Sequence, residues 1–261
     1  MMNIYQHFRD DEQTFIDQVI DWIAQVENQY APYLTSFLNP RQLFIVQAII
    51  GQYEEIEHQA FGGYDEAEQQ RVLIYPPYYE PTATDFEIAL VEINYPTKFA
   101  ELSHGQILGS ILGAGIARDT LGDIINDQER WQFFIDKKMK NFIFMNVDHV
   151  GRTNIHLEER LLEEKVATTS KWENKEIIVS SLRLDVVLAR ALNLSRNRAK
   201  KLITDQRIKI NWVEVERPDR ELEEYDIISI RGHGRIQIRE QLGTTRKENI
   251  VLKIGIIDRN S

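Results

Sequence analysis

Between Ser195 and Thr204 the chain reads Arg-Asn-Arg-Ala-Lys-Lys-Leu-Ile, with four cations and no acid on one short stretch. Ser195 is a good N-cap, and Ala199, Leu202 and Ile203 fall at helical spacing, so the segment predicts a helix with one buried side. The cations are thereby forced to the surface. Arg196 and Lys200 share a face at i, i+4, with Arg198 and Lys201 beside them. Like charges at that spacing repel by about 0.2–0.5 kcal/mol per pair. A helix that only packed would intersperse acids, so this one predicts an anion-binding surface.

The flanking sequence builds a small domain around it, over roughly Ser180 to Arg231. Arg183-Leu-Asp185 opens a helix whose Leu184, Val187, Leu188 and Ala191 lie on one side, ended by Asn193-Leu194. Asp185 is expected to stabilise the start of that helix. After the basic helix, Arg207-Ile-Lys-Ile-Asn211 alternates, which places Arg207 and Lys209 on one strand face. Val213-Glu-Val215, Pro218 and Asp226-Ile-Ile-Ser-Ile-Arg231 complete a sheet.

The net charge of −10 argues against a nucleic-acid partner until its distribution is read. Residues 181–261 carry 17 Lys+Arg against 12 Asp+Glu, a net of +5, which leaves −15 for the first 180. A basic tail domain on an acidic body points to nucleic acid. No cysteine is present, which excludes disulfides, thiol catalysis and cysteine-ligated zinc, and suits a reducing cytoplasm. No secretion signal is read at the N-terminus, and no apolar stretch approaches the ~20 residues of a membrane span.

Upstream, residues 1–70 read as a helical region: Phe15, Val19, Trp22, Ile23 and Val26 form one run, and Leu43, Val46, Ala48, Ile49 and Ile50 a second, broken at Asn39-Pro40. Residues 71–157 predict an α/β middle domain. Its strands fall at 71–75, 86–94, 121–125, 131–135 and 152–157, and its helices at 103–117 and 136–147. Residues 158–176 read as a linker, and 177–261 as the C-terminal domain. The fold class is therefore α+β. Gly105, Gly109 and Gly113 lie four apart, so that one smooth helix face can approach a sheet closely. Gly113-x-Gly115 is not a dinucleotide fingerprint, because the third glycine position holds Arg118 and the glycines sit late in the helix.

The C-terminal pattern resembles a known family. R-L-D, S-R-x-x-A-x-x-L-I, I-x-I-N, then P and D-x-I-x-I-R follow the motif order of the ribosomal-protein S-four domain. The resemblance implies an RNA surface comprising Arg183, Ser195, Arg196, Arg198, Lys201, Arg207, Lys209 and Asn211, to which the helix face adds Lys200. Two positions depart from the pattern, which has glycine at each. Gln206 must then bear a left-handed cap conformation, and Trp212 is either a stacking platform for a base or a partly buried turn residue. H-x-x-x-L-G…G-I-x-R…G-D-I, which begins at His104, is similar to the YlmH family of Gram-positive and related bacteria, departing from it at Gly105 and Ala117. That resemblance implies an RRM-like middle domain, with His104 and Arg118 as candidates for a second RNA contact. It also implies a cytoplasmic protein that docks on large-subunit ribosomal RNA, with peptidyl-tRNA as an additional candidate, linked to quality control and cell division.

The alternative is an RNA-modifying enzyme targeted by its S-four domain. Arg183-Leu-Asp185 resembles the catalytic triplet of pseudouridine synthases, but it opens a short helix of the binding domain. His149 and His156 lack a ligand set, so no metal site is expected, nor any cofactor. A non-catalytic monomer that binds structured RNA, away from any membrane, is the expectation. A cluster of shifted acidities in a middle-domain pocket would favour the enzyme instead.

Overall fold

In α1 (Gln13–Gln29) the side chains of Ile16, Val19, Trp22, Ile23 and Val26 are buried along one side, as their spacing requires. A computed structural model describes residues 8–127, 129–167 and 172–258, in two units, Met1–Thr169 and Ser170–Ser261. Asn39 accepts from the Gln42 amide and Pro40 takes the first helical position, so the Asn-Pro pair starts α2 (Pro40–Ile50).

The first 70 residues are not wholly helical. β1 (Tyr33–Leu38) and β2 (Glu57–Phe61) flank β3 (Gln70–Tyr75) in an antiparallel sheet of order β1-β3-β2. Neither missed strand alternates cleanly: β1 reads Tyr-Leu-Thr-Ser-Phe-Leu, and β2 is a mixed-polarity edge strand. The expected boundary at 70/71 thus falls inside the central strand of the first sheet.

The second sheet contains β4 (Ile88–Asn94), β5 (Leu121–Asn126), β6 (Trp131–Asp136) and β9 (His156–Arg160). Between them lie α3 (His104–Gly113), α4 (Lys140–Asn146) and a small hairpin of β7 (His149–Val150) with β8 (Thr153–Asn154). The order β5-β6-β4-β9, all antiparallel, is the RRM-like arrangement, with the first and third strands central. The expected closing strand at 152–157 is instead this hairpin followed by β9. Helix α3 stops four residues short of the expected 117 because Gly115 turns left-handed at φ 93° and its amide bonds the Leu112 carbonyl.

Both faces of this sheet are covered. Ala89, Val91, Ile93, Phe133 and Ile135 pack on Ile107, Ile111 and Ile143 of the helices. Leu90, Ile125 and Phe134 face the first sheet through Phe37, Leu73 and Tyr75. The sheets approach closely at Gly122, where a Cβ would lie 2.8 Å from the Phe37 ring and 3.0 Å from Phe134 Cβ. Arg71 pins them together: it donates to the carbonyls of Thr35 (2.8 Å) and Glu87 (3.2 Å) and pairs with Asp136 at 3.3 Å.

Much of the expected linker is structured. Residues 158–160 belong to β9, and Val166 is buried on the sheet, its amide donating 2.8 Å to Gln132 Oε1. Downstream, Glu173 already begins β10 (Glu173–Val179).

The C-terminal unit packs α5 (Leu184–Ala191) and α6 (Arg196–Thr204) on one face of a six-stranded antiparallel sheet. Its other strands are β11 (Ile208–Ile210), β12 (Val213–Glu214), β13 (Ile227–Ile230), β14 (Gly234–Thr244) and β15 (Ile250–Asp258), in the order β10-β15-β14-β13-β11-β12. Val187, Leu188, Ala199 and Ile203 meet Ile208, Ile228, Ile236 and Ile254 in its core.

Candidate nucleic-acid interface

Helix α6 begins where Ser195 Oγ accepts from the Arg198 amide at 3.3 Å, so Ser195 acts first as a cap. Ala199 and Ile203 are fully buried, which turns Arg196, Arg198, Lys200 and Lys201 outward as exposed residues. Helix α5 is capped differently. Its Leu184 and Asp185 amides donate to the carbonyls of Arg220 (2.8 Å) and Pro218 (3.0 Å).

The Asp185 carboxylate is turned to the cations and is wholly buried. Oδ2 accepts from Arg196 Nε at 2.9 Å and Oδ1 from Arg183 Nε at 3.2 Å, while Lys200 Nζ stands 3.9 Å away. Burial pushes this carboxyl's pKa up, but the hydrogen bonds from Arg196 and Arg183 outweigh it and hold the group below the usual carboxylate range. One acid thus gathers three cations from two helices. Nothing in the spacing of the cations reveals this hub; the Arg-Leu-Asp triplet is its only trace in the sequence.

A second group lies beside the first. Arg198, Lys201 and Arg207 line a shallow cleft of about 350 Å³ with Leu194, Leu202, Asp205 and His233. Arg207 precedes β11, and its guanidinium donates to the Arg231 carbonyl at 2.9 Å. Lys209 points away from the core and pairs with Glu214 across the hairpin at 3.5 Å.

Asn211 is spent on structure. With Trp212 it forms a two-residue turn at φ 47° and 67°, and its side chain donates to Asp226 Oδ1 (2.8 Å) and accepts from the Ile227 amide (2.9 Å). Gln206 takes the left-handed conformation at φ 55°, as expected.

In the middle domain, His104 is exposed at the start of α3, where Ser103 and Gln106 form a capping box. Arg118 is half-buried and donates to the Leu121 carbonyl at the head of β5. The glycine stripe does not meet a sheet: nothing lies within 4 Å of a Cβ placed at Gly105, Gly109 or Gly113. Ile107 and Ile111 fill the sheet-facing side of α3 instead. Because the first sheet covers β4 and β6, the open face of an RRM-type sheet, on which bases would stack, does not exist here. Among the described residues no three His, Asp or Glu side chains converge as metal ligands, and no helix is long and apolar enough to cross a membrane.

Comparison with known proteins agrees with these divisions. Residues 11–79 match the family description "YlmH, N-terminal", 81–164 match "Putative RNA-binding domain in YlmH", and 182–228 match "S4 domain". The "Ribosome-associated protein quality control protein P2" of Bacillus subtilis (strain 168) is 36% identical over 248 residues, which cover 95% of this chain and 96% of the relative. The chain belongs to the YlmH family. A solved structure, "Cell division protein ylmH from Streptococcus pneumoniae", is 38% identical and superimposes with a TM-score of 0.55, covering 62% of this chain and 99% of that one. The YlmH-family matches meet between residues 79 and 81, just past β3, which is where the first sheet ends.

Proposed function

We propose that this YlmH-family chain is a non-catalytic RNA-binding protein that docks on large-subunit ribosomal RNA, with peptidyl-tRNA as an additional ligand. The Bacillus relative is named for ribosome-associated quality control and the streptococcal one for cell division. We assign the first as the direct role, carried out in the cytoplasm by a monomer without a cofactor. The observation that carries the reading is the α6 surface, where four exposed cations stand together with no acid between Ser195 and Thr204. Such an array contacts phosphates, which positions a protein without reading bases.

The working residues are Arg183, Arg196, Arg198, Lys200, Lys201 and Arg207, with Lys209 at the margin. Ser195 and Asn211 hold the frame, and His104 and Arg118 remain a secondary contact. The enzyme reading loses support because the most strongly shifted groups of the N-terminal unit are tied into structure. Glu12 is bonded to Arg41 and Arg9. Tyr64, whose hydroxyl is pushed up by burial and by Asp123, donates to that carboxylate at 2.8 Å while Asp123 also accepts from the Glu68 and Gln69 amides.

Co-sedimentation with purified large ribosomal subunits tests the reading. Wild type is expected to travel with the subunit, and a folded Arg196→Ala/Lys200→Ala/Lys201→Ala variant to stay behind, with at least about tenfold weaker binding. Equal sedimentation of the two would remove α6 as the anchor.

A further inference from the structure

The surface proposed above contains an acid where electrostatics alone would place none. Asp185 lies at the centre of three cations, and removing its charge would raise the local positive potential. Its geometry argues that the loss would nevertheless weaken binding. The carboxylate is completely buried, whereas its partners Arg183, Arg196 and Lys200 are 36%, 52% and 46% exposed. Arg196 uses Nε on Asp185, and its two Nη groups make no hydrogen bond among the described residues. Arg183 reaches the same carboxylate with Nε at 3.2 Å and Nη2 at 3.5 Å.

Without this anchor, Arg196 and Lys200, one turn apart on α6, would repel and sample separate rotamers. Each long basic side chain carries up to about 2 kcal/mol of rotamer entropy, which a phosphate ligand must otherwise overcome. A guanidinium fixed through Nε presents its outer edge as a ready fork for phosphate oxygens.

We propose that Asp185 is a positioning residue for RNA binding: it spends its charge inside the domain to hold Arg183, Arg196 and Lys200 in one phosphate-ready array. This rests on the RNA-binding reading of the α6 surface. Arg198, Lys201 and Arg207 line the neighbouring cleft and, among the described residues, do not pair with Asp185, so they serve as an internal reference.

The test uses the full chain, fluorescently labelled and titrated with purified large ribosomal subunits across a range of salt. Asp185→Asn is expected to bind about five- to tenfold more weakly although it is less acidic, and with a shallower salt slope because fewer phosphates are engaged. A change in folded fraction alone would leave that slope unmoved. In the Arg196→Ala background the Asp185→Asn loss should shrink to the share carried by Arg183 and Lys200, whereas in the Lys201→Ala background it should persist in full. Should Asp185→Asn fail to fold, Arg196→Lys keeps the charge at an exposed site but lacks the fork, and it is expected to lose most of what Arg196→Ala loses. Wild-type or tighter binding by Asp185→Asn, or wild-type binding by Arg196→Lys, overturns the proposal. If the Arg196→Ala/Lys200→Ala/Lys201→Ala variant binds as wild type does, the RNA-binding reading itself falls first.

Discussion

Each unit of this chain holds a buried carboxylate flanked by arginines, and the two are used in opposite ways. In the N-terminal unit Glu12 receives Arg41 at 2.8 and 2.9 Å and Arg9 at 2.7 Å; Arg41 is itself buried, at 4% exposure, and Arg9 is mostly covered, at 14%. In the C-terminal unit Asp185 is buried but its cations reach into solvent. The chemistry is the same; the exposure of the cationic side differs. An ion pair closed on both sides has no hydrogen-bonding capacity left for a ligand, so it contributes only to the fold, and breaking it strands a charge. One closed on the acid side alone leaves its cations oriented outward, available to an anion.

The largest expected effect follows from the closed pair. Arg41→Ala leaves Glu12 buried without its main partner and should cost about 3–5 kcal/mol in denaturant unfolding; a loss below about 1 kcal/mol would place Glu12 among ordinary surface acids. Acid titration reads the same pair from the other side. Burial alone would raise the Glu12 pKa, but the hydrogen bonds and charges of Arg41 and Arg9 bring it from 4.5 to about 2. Because the folded value is depressed, its contribution of roughly 3 kcal/mol is present above pH 4.5 and fades as pH falls towards about 2. In Glu12→Gln that part of the pH dependence should be missing from urea melts taken over the same range.

Gln132 is a smaller case of inward closure. It donates to Glu92 (2.9 Å) and to the Glu164 carbonyl (3.2 Å), and it accepts from the Val166 amide, so Gln132→Ala should cost about 1–3 kcal/mol. Faster hydrogen exchange at Val166 would accompany it; unchanged protection there would contradict the assignment. In the C-terminal unit, Gln206→Gly should relieve the left-handed strain and raise stability by about 1 kcal/mol, visible as a higher midpoint in chemical denaturation.

The smallest effect on folding should come from Arg196→Ala, about 0.5 kcal/mol, since Arg183 still pairs with Asp185 and Arg196 is half exposed. Its binding to large subunits should fall all the same. A variant that unfolds as Arg41→Ala does would erase the distinction between the two carboxylates.

Local pattern carried a good part of this. The helices at 13–29, 40–50, 184–191 and 196–204 were legible because a helix in water must bury one side, and that side recurs in the sequence. The strand sequence of the RRM-like sheet was largely readable too. The short strands β1 and β2 were not, and neither were the contacts of the glycine face: the stripe on α3 says that a close approach is permitted, and the fold leaves it open.

By itself, then, the sequence determined the basic side of α6, the S4 motif order and the family, since each is carried by short motifs that are read without knowing what packs on them. Tertiary structure alone decided that the first sheet seals the RRM-like one, that Arg207 bonds the Arg231 carbonyl, and that Asn211 turns inward to Asp226. It also decided that Asp185 gathers Arg196 from eleven residues away. Periodicity states which side of an element is hidden; it does not state what hides it. That depends on pairings between residues distant along the chain, which are fixed only when the sheets and helices close on one another.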